Sequence, residues 1–305
     1  MSDVASIYLA LALDSMQAHS IMRDTVDWPG LRAAAFANAA NAQATVDTYT
    51  AIRQALHDLG DNHSRFLEPQ EVNPATRSAG NRPPSAARLS DGFGYLEIPP
   101  FTGSAQAAVD YATQMQQQIR DVDAQPTKGW IVDVQRNGGG NMWPMLAGVG
   151  PILGEGNVGG FRDADGNLSV FAYRNGQALL DGNPMCVVAG APYEMKSPMS
   201  AVAVLTSQGT ASAAEAITVA FRARPRTRSF GGSTSGVPSN NVGQVLSDGA
   251  EIVLTEGFDV DRAGNVYRRA IVPDQLVATG SRIGWMGTAQ DPTRAVADEW
   301  LHTLS

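Results

Sequence analysis

The chain is 305 residues long, 43% hydrophobic and carries a formal net charge of −8. That length and apolar content allow a large core in one big domain or two, and the acidic balance, with a pI of about 5.0, argues against nucleic acid and anionic membrane surfaces as partners. The lone Cys186 excludes an internal disulfide and any cysteine-based metal site, and no window approaches the ~20 apolar residues of a membrane span.

Taken in chain order, Met1-Ser2-Asp3 brings no positive segment, and the apolar stretch 7–13 lacks the flanks of a signal peptide. A cytoplasmic location is expected of the chain as written, and an extracytoplasmic one if a leader has been removed. Apolar residues at helical spacing follow, first Ile7, Ala10 and Leu11, then Val46, Tyr49, Ile52 and Leu56, with a turn at Trp28-Pro29-Gly30. They predict an N-terminal helical bundle over residues 1–70, whose helices stop at Leu59-Gly60 and which closes on the polar turn Gly60-Asp61-Asn62-His63-Ser64. Residues 71–90 hold Pro74, Gly80, Pro83, Pro84 and several serines, the composition of an irregular connection. Strands are expected at 94–98, 129–134, 185–189 and 201–205, with helices at 104–121 and 213–223, so that residues 91–305 form an α/β layered domain. Aspartate-rich turns at 163–167 and 261–265 predict hairpins. Neither fits a calcium loop, because the twelfth position counted from Asp259 is Ala270 and from Asp163 is Arg174.

Three segments carry chemistry. The apolar strand at 201–205 breaks into Thr206-Ser207-Gln208-Gly209-Thr210-Ala211-Ser212 and restarts as a helix, which puts a serine hydroxyl beside unpaired backbone N–H groups. Alone, Ser212-Ala213-Ala214-Glu215 reads as a capping box with Ser212 as the helix cap. His63 sits in a tight polar turn and alone reads as a turn histidine, while His19, His57 and His302 lie on helical or terminal segments. The strand Trp130-Ile131-Val132-Asp133-Val134 runs into Asn137-Gly138-Gly139-Gly140, whose N–H groups a ligand can approach closely. Such glycines are commonplace when they stand alone.

Together, Asp133-x-x-x-Asn137-Gly138-Gly139-Gly140 after a strand and Thr210-Ala211-Ser212-Ala213-Ala214-Glu215 some seventy residues later resemble the tail-specific, or carboxyl-terminal processing, serine peptidase family. The resemblance covers roughly residues 55–280 and is strongest to the nisin resistance protein-like and tricorn-core-like branch, in which a histidine ahead of the core is the base. It implies a crotonase/ClpP-like layered α/β catalytic domain preceded by the helical bundle, with a cap segment at about 141–184. Many members use a lysine about twenty-five residues after the serine, but here that position is Val237, and the only lysines are Lys128 and Lys196. The Ser–Lys version is therefore excluded, and the short span between His63 and Gly94 leaves no room for a PDZ domain.

The resemblance assigns Ser212 as nucleophile, His63 as base, and the N–H groups of Gly139 and Ala213 as the oxyanion hole, with no metal and no organic cofactor. Asp61, Ser64, Glu256 and Asp259 are the residues considered for orienting His63, and none is singled out by spacing. The implied substrate is a peptide or protein C-terminal segment. Two other readings share these residues: acyl transfer on a nonpeptide or modified-peptide substrate, and a non-catalytic binding module, since the resemblance extends to interphotoreceptor retinoid-binding protein. For Ser212 to meet His63, the turn at 60–64 must dock beside the helix that begins after Ser212.

Overall fold

The computed structural model describes residues 1–72, 81–278 and 286–304. Eight residues of the expected irregular connection, 73–80, thus lie outside the described residues. The chain divides into two compact units. The described residues within 1–77 join 162–168 and 239–258 in a helical unit, and those within 78–161, 169–238 and 259–305 form a sheet unit.

Helix α1 (Asp3–His19) starts where the Ser2 hydroxyl accepts the Ala5 N–H, and α2 (Trp28–Asn38) starts at Asp27 with a proline in its first turn, both common helix-start chemistry. Helix α3 (Tyr49–Leu59) stops at Gly60, whose φ of 78° reverses the chain. The short strand β1 (Arg65–Leu67) follows.

The sheet unit begins with β2 (Ser85–Arg88) and β3 (Gly94–Glu97), then α4 (Ala105–Val122), β4 (Gly129–Asp133) and α5 (Met142–Leu153). Next come the strands β5 (Gly156–Arg162), β6 (Leu168–Arg174), β7 (Gln177–Leu180) and β8 (Asn183–Val187), then β9 (Ala201–Thr206), α6 (Ala213–Phe221) and β10 (Thr227–Gly231). Strands β11 (Ser239–Val245) and β12 (Glu251–Asp261) form a long ribbon, and β13 (Gln275–Leu276) and α7 (Pro292–His302) complete the described chain. No helix among the described residues is long and apolar enough to cross a membrane.

One sheet runs in the order β13-β10-β9-β4-β3-β2, parallel throughout except for the antiparallel edge strand β2. Strands β4 and β9 are buried along their whole length. Alternate residues serve opposite faces: Trp130, Val132, Val202 and Val204 pack with Met115, Leu146 and Ile217 of α4, α5 and α6, while Ile131, Ala203 and Leu205 pack with Ala297 and Leu301 of α7. This is why both strands read as continuous apolar runs. Strand β2 forms inside the stretch expected to be irregular because pairing with β3, Ala86 opposite Leu96, outweighs the nearby prolines. Strands β6, β7 and β8 form an antiparallel set, and both aspartate-rich turns close hairpins through their own side chains.

In the helical unit, β12 pairs antiparallel with both β1 and β11. Ile252 and Leu254 enter the core formed by Leu9, Leu13, Ile52 and Leu56, and Asp248 accepts the hydroxyls of Tyr8 and Tyr49 at 2.8 and 2.9 Å.

Candidate active site

In the sheet unit, β4 and β9 lie side by side, with Asp133 opposite Leu205, so their carboxyl ends deliver two neighbouring loops where parallel sheets gather ligands. Side chains lace the loops together. Ser207 Oγ donates to the Gln135 carbonyl at 2.6 Å, Thr210 Oγ1 to the Val134 carbonyl at 2.9 Å, and the Ala211 N–H to the Asn137 carbonyl at 3.0 Å.

Ser212 stands at the turn from β9 into α6 with φ 54° and ψ −117°, a backbone state that a residue with a Cβ adopts only under constraint. The expected capping box is half formed. The Ser212 N–H donates to Glu215 Oε2 at 2.8 Å, but the Glu215 N–H is taken by the Ser212 backbone carbonyl at 2.8 Å, and the Ser212 hydroxyl caps nothing. Among the described residues of its own unit that hydroxyl is uncommitted. Glu215 is fully buried and also accepts Thr234 Oγ1 at 2.5 Å and the N–H groups of Gly236 and Val237, both at 3.0 Å, fastening the 234–237 loop to the start of α6.

Gly139 has φ 102°, and a Cβ there would come within 2.8 Å of Ser212 Cβ and 3.3 Å of the Ala213 nitrogen. Only glycine fits, because both the conformation and the space refuse a side chain. The Ala213 N–H has no acceptor among the described residues. The Gly139 N–H, by contrast, donates to Asn137 Oδ1 at 2.9 Å, and Asn137 is itself fully buried, with Nδ2 donating to the Ile98 carbonyl at 3.0 Å. Ser212, Gly139 and Ala213 are thus brought together.

A second carboxyl, Asp259, lies fully buried in the same unit, with both oxygens lacking a hydrogen-bond partner among the described residues. Burial first, then the charge of Glu215, push it well above the ordinary carboxyl range.

His63 belongs to the helical unit. Asp61 shapes its turn, with Oδ1 accepting the N–H groups of His63 and Ser64 at 2.8 and 2.7 Å and Oδ2 accepting Ser64 Oγ at 2.6 Å. Ser64 Oγ in turn accepts the Thr255 N–H at 2.9 Å, tying the turn to β12. The imidazole is half-buried, and its Nδ1 lies 2.7 Å from Ser239 Oγ on β11. Burial, then the positive charge of Arg65, lower the imidazole to about 4, against a smaller upward pull from Asp61. Of the other residues that could orient this ring, Asp61 bonds to the turn's backbone and to Ser64, Ser64 bonds to Asp61 and to the Thr255 N–H of β12, and Glu256 accepts Gln244 Nε2 at 2.9 Å. Ser239 is the group on the ring, and no sequence signal marked it. Its neighbours Ser239-Asn240-Asn241 read as an ordinary polar stretch.

For a metal, the described residues offer one grouping, Asp91, Asp298 and His302, with ligand atoms within 4.8 Å of one another. It is an ion-pair cluster between α7 and the turn before β3, with His302 Nε2 3.2 Å from Asp91 and 3.9 Å from Asp298.

The sequence model of peptidase family S41 matches residues 92–277, more than half of the chain. The chain belongs to peptidase family S41. This S41 peptidase is 27% identical over 282 residues to the nisin-resistance protein of Lactococcus lactis subsp. lactis, covering 92% of the chain and 86% of that relative. It is 26% identical over 215 residues to the carboxyl-terminal-processing protease of a Synechocystis species, covering 68% of the chain but 44% of the relative. Among solved structures, a lipoprotein from Streptococcus agalactiae shares the fold with a TM-score of 0.82 at 22% identity, over 99% of this chain and 98% of that one. The family, the layered α/β fold and the serine peptidase class implied by the two motifs all stand.

Proposed function

We propose that this peptidase hydrolyses peptides near their C-termini through an acyl-enzyme formed on Ser212, with His63 as the base. His63 Nε2 takes the hydroxyl proton as Ser212 Oγ attacks the scissile carbonyl, and the protonated imidazole then gives that proton to the departing amine. Water, deprotonated by the same imidazole, attacks the acyl carbon and releases the new carboxylate, returning Ser212 its proton. The oxyanion falls to the N–H groups of Ala213 and Gly139, each such donor being worth ~3 kcal/mol in the transition state. Ala213 is ready for this. The Gly139 N–H must be released from Asn137 Oδ1 as the oxyanion forms.

The observation that carries this reading is the uncommitted Ser212 hydroxyl on a constrained turn, pressed against Gly139 and one residue from a backbone N–H without an acceptor. C-terminal cleavage rests on a carboxyl-terminal-processing relative. A fluorophosphonate probe should label wild type and neither Ser212→Ala nor His63→Ala. Paired peptides with free and amidated C-termini then test the position of cutting: equal rates on both would remove the C-terminal preference, and probe labelling without cleavage of any peptide would favour a nonpeptide acyl substrate.

A further inference from the structure

We propose that Ser239 is the positioning residue for His63, holding the imidazole in the tautomer that leaves Nε2 free to accept a proton. The inference rests on the reading of His63 as the base and adds the group that orients it.

The hydrogen-bond chain offers each proton an acceptor. Asn241 Nδ2 donates to the His63 backbone carbonyl at 3.2 Å, which makes Asn241 Oδ1 the acceptor end of that amide. Oδ1 receives Thr255 Oγ1 at 3.2 Å and Ser239 Oγ at 3.4 Å. We assign the Ser239 proton to Asn241 Oδ1, which turns a hydroxyl lone pair toward His63; the 2.7 Å contact, whose direction the ring tautomer decides, is then Nδ1–H donating to Ser239 Oγ. Neutral imidazole carries one ring proton. A proton held on Nδ1 leaves Nε2 as the acceptor that a general base requires.

The arrangement is built for this geometry. Asn241 grips the turn's backbone while its oxygen aligns Ser239, and Thr255, fully buried on β12, aligns Asn241. The turn itself is bound to β12 through Ser64. Because the orienting group is neutral, the imidazolium gains no carboxylate partner through Nδ1. The charged groups acting on the ring are Arg65 and Asp61, on its own turn and strand.

The test uses the full-length protein. Nitrogen-15 NMR, with His63 assigned by its loss in His63→Gln, should show Nδ1 protonated and Nε2 unprotonated at neutral pH. Ser239→Ala should lower kcat on a peptide by ~10–100-fold with KM little changed, and lose the single-tautomer signature. Ser239→Asp should recover activity and move the acid limb of kcat/KM upward, since a carboxylate favours the imidazolium. An Nε2-protonated resting ring, or a Ser239→Ala protein with wild-type kcat and pH profile, overturns the inference. The spectrum reads the ring whether or not the protein turns over. An Nδ1–H tautomer in a protein whose His63→Ala variant stays active would uphold the positioning by Ser239 and overturn His63 as the base.

Discussion

Glu215 holds the backbone of Ser212 and leaves its hydroxyl alone: the Ser212 N–H donates to Glu215 Oε2 at 2.8 Å, and nothing in α6 takes the side chain. Removing that side chain should therefore separate chemistry from stability. Ser212→Ala is expected to abolish turnover while shifting unfolding free energy by less than the ~1 kcal/mol of a lost cap. Peptide hydrolysis and a urea titration on the same preparation check both halves, and a large stability loss would show the hydroxyl to be structural.

At Gly139 the expectation reverses. A methyl group must push against Ser212 Cβ at 2.8 Å and the Ala211 carbonyl at 2.9 Å, on a backbone with φ 102°. Gly139→Ala should cost ~1–3 kcal/mol of stability and ~100-fold or more in kcat/KM, read by urea denaturation and steady-state kinetics. Near-normal kinetics would mean that this glycine faces no reacting atom.

The lowered His63 imidazole, at about 4, sets a pH profile. A base must be neutral to act, and an imidazole of ordinary pKa ~6.5 would lose activity below that pH. Here kcat/KM should persist through pH 5 and fall with an inflection near 4. NMR titration of the His63 ring separates its own protonation from that of a carboxyl, and an inflection of the ring near 6.5 would contradict the burial argument.

Asp259 gives a stability prediction of opposite sign. Its folded-state pKa is raised, so the native protein holds a proton that the unfolded chain releases above ~4. Stability from this group is then complete at low pH and is lost as pH rises toward the folded value, at about 1.4 kcal/mol per unit. Asp259→Asn should leave stability nearly unchanged near pH 4 and raise it at pH 7.5. Urea melts at the two pH values decide, and an equal effect at both would show that Asp259 does not titrate this way.

The parts of this molecule that read clearly in sequence are those where one physical demand dominates. Strands β4 and β9 are buried on both faces, so their apolar runs and the glycine- and serine-bearing loops beyond them stood out. Ser239 did not, because its role comes from the ribbon that brings it to a turn 176 positions earlier in the chain. The ribbon itself was hidden, since its first strand, Ser239-Asn240-Asn241-Val242-Gly243-Gln244-Val245, has little apolar alternation and is held by pairing with β12. Ser212 shows the reverse failing. Its motif spelled a reciprocal cap, but with φ 54° only the glutamate arm reaches its target.

The helical unit also has a history written into its chain order. Its core needs Ala250, Ile252 and Leu254 beneath α1 and α3, and Tyr8 and Tyr49 need Asp248. A ribosome releases the N-terminal helices early and those partners late, so the helices must wait, with apolar surface uncovered, for most of synthesis. Ser239 emerges in the same late segment. Only 27 positions separate Ser212 from Ser239, so the serine loop and the seat of the histidine turn are completed close together, late in synthesis, although the turn itself is made early.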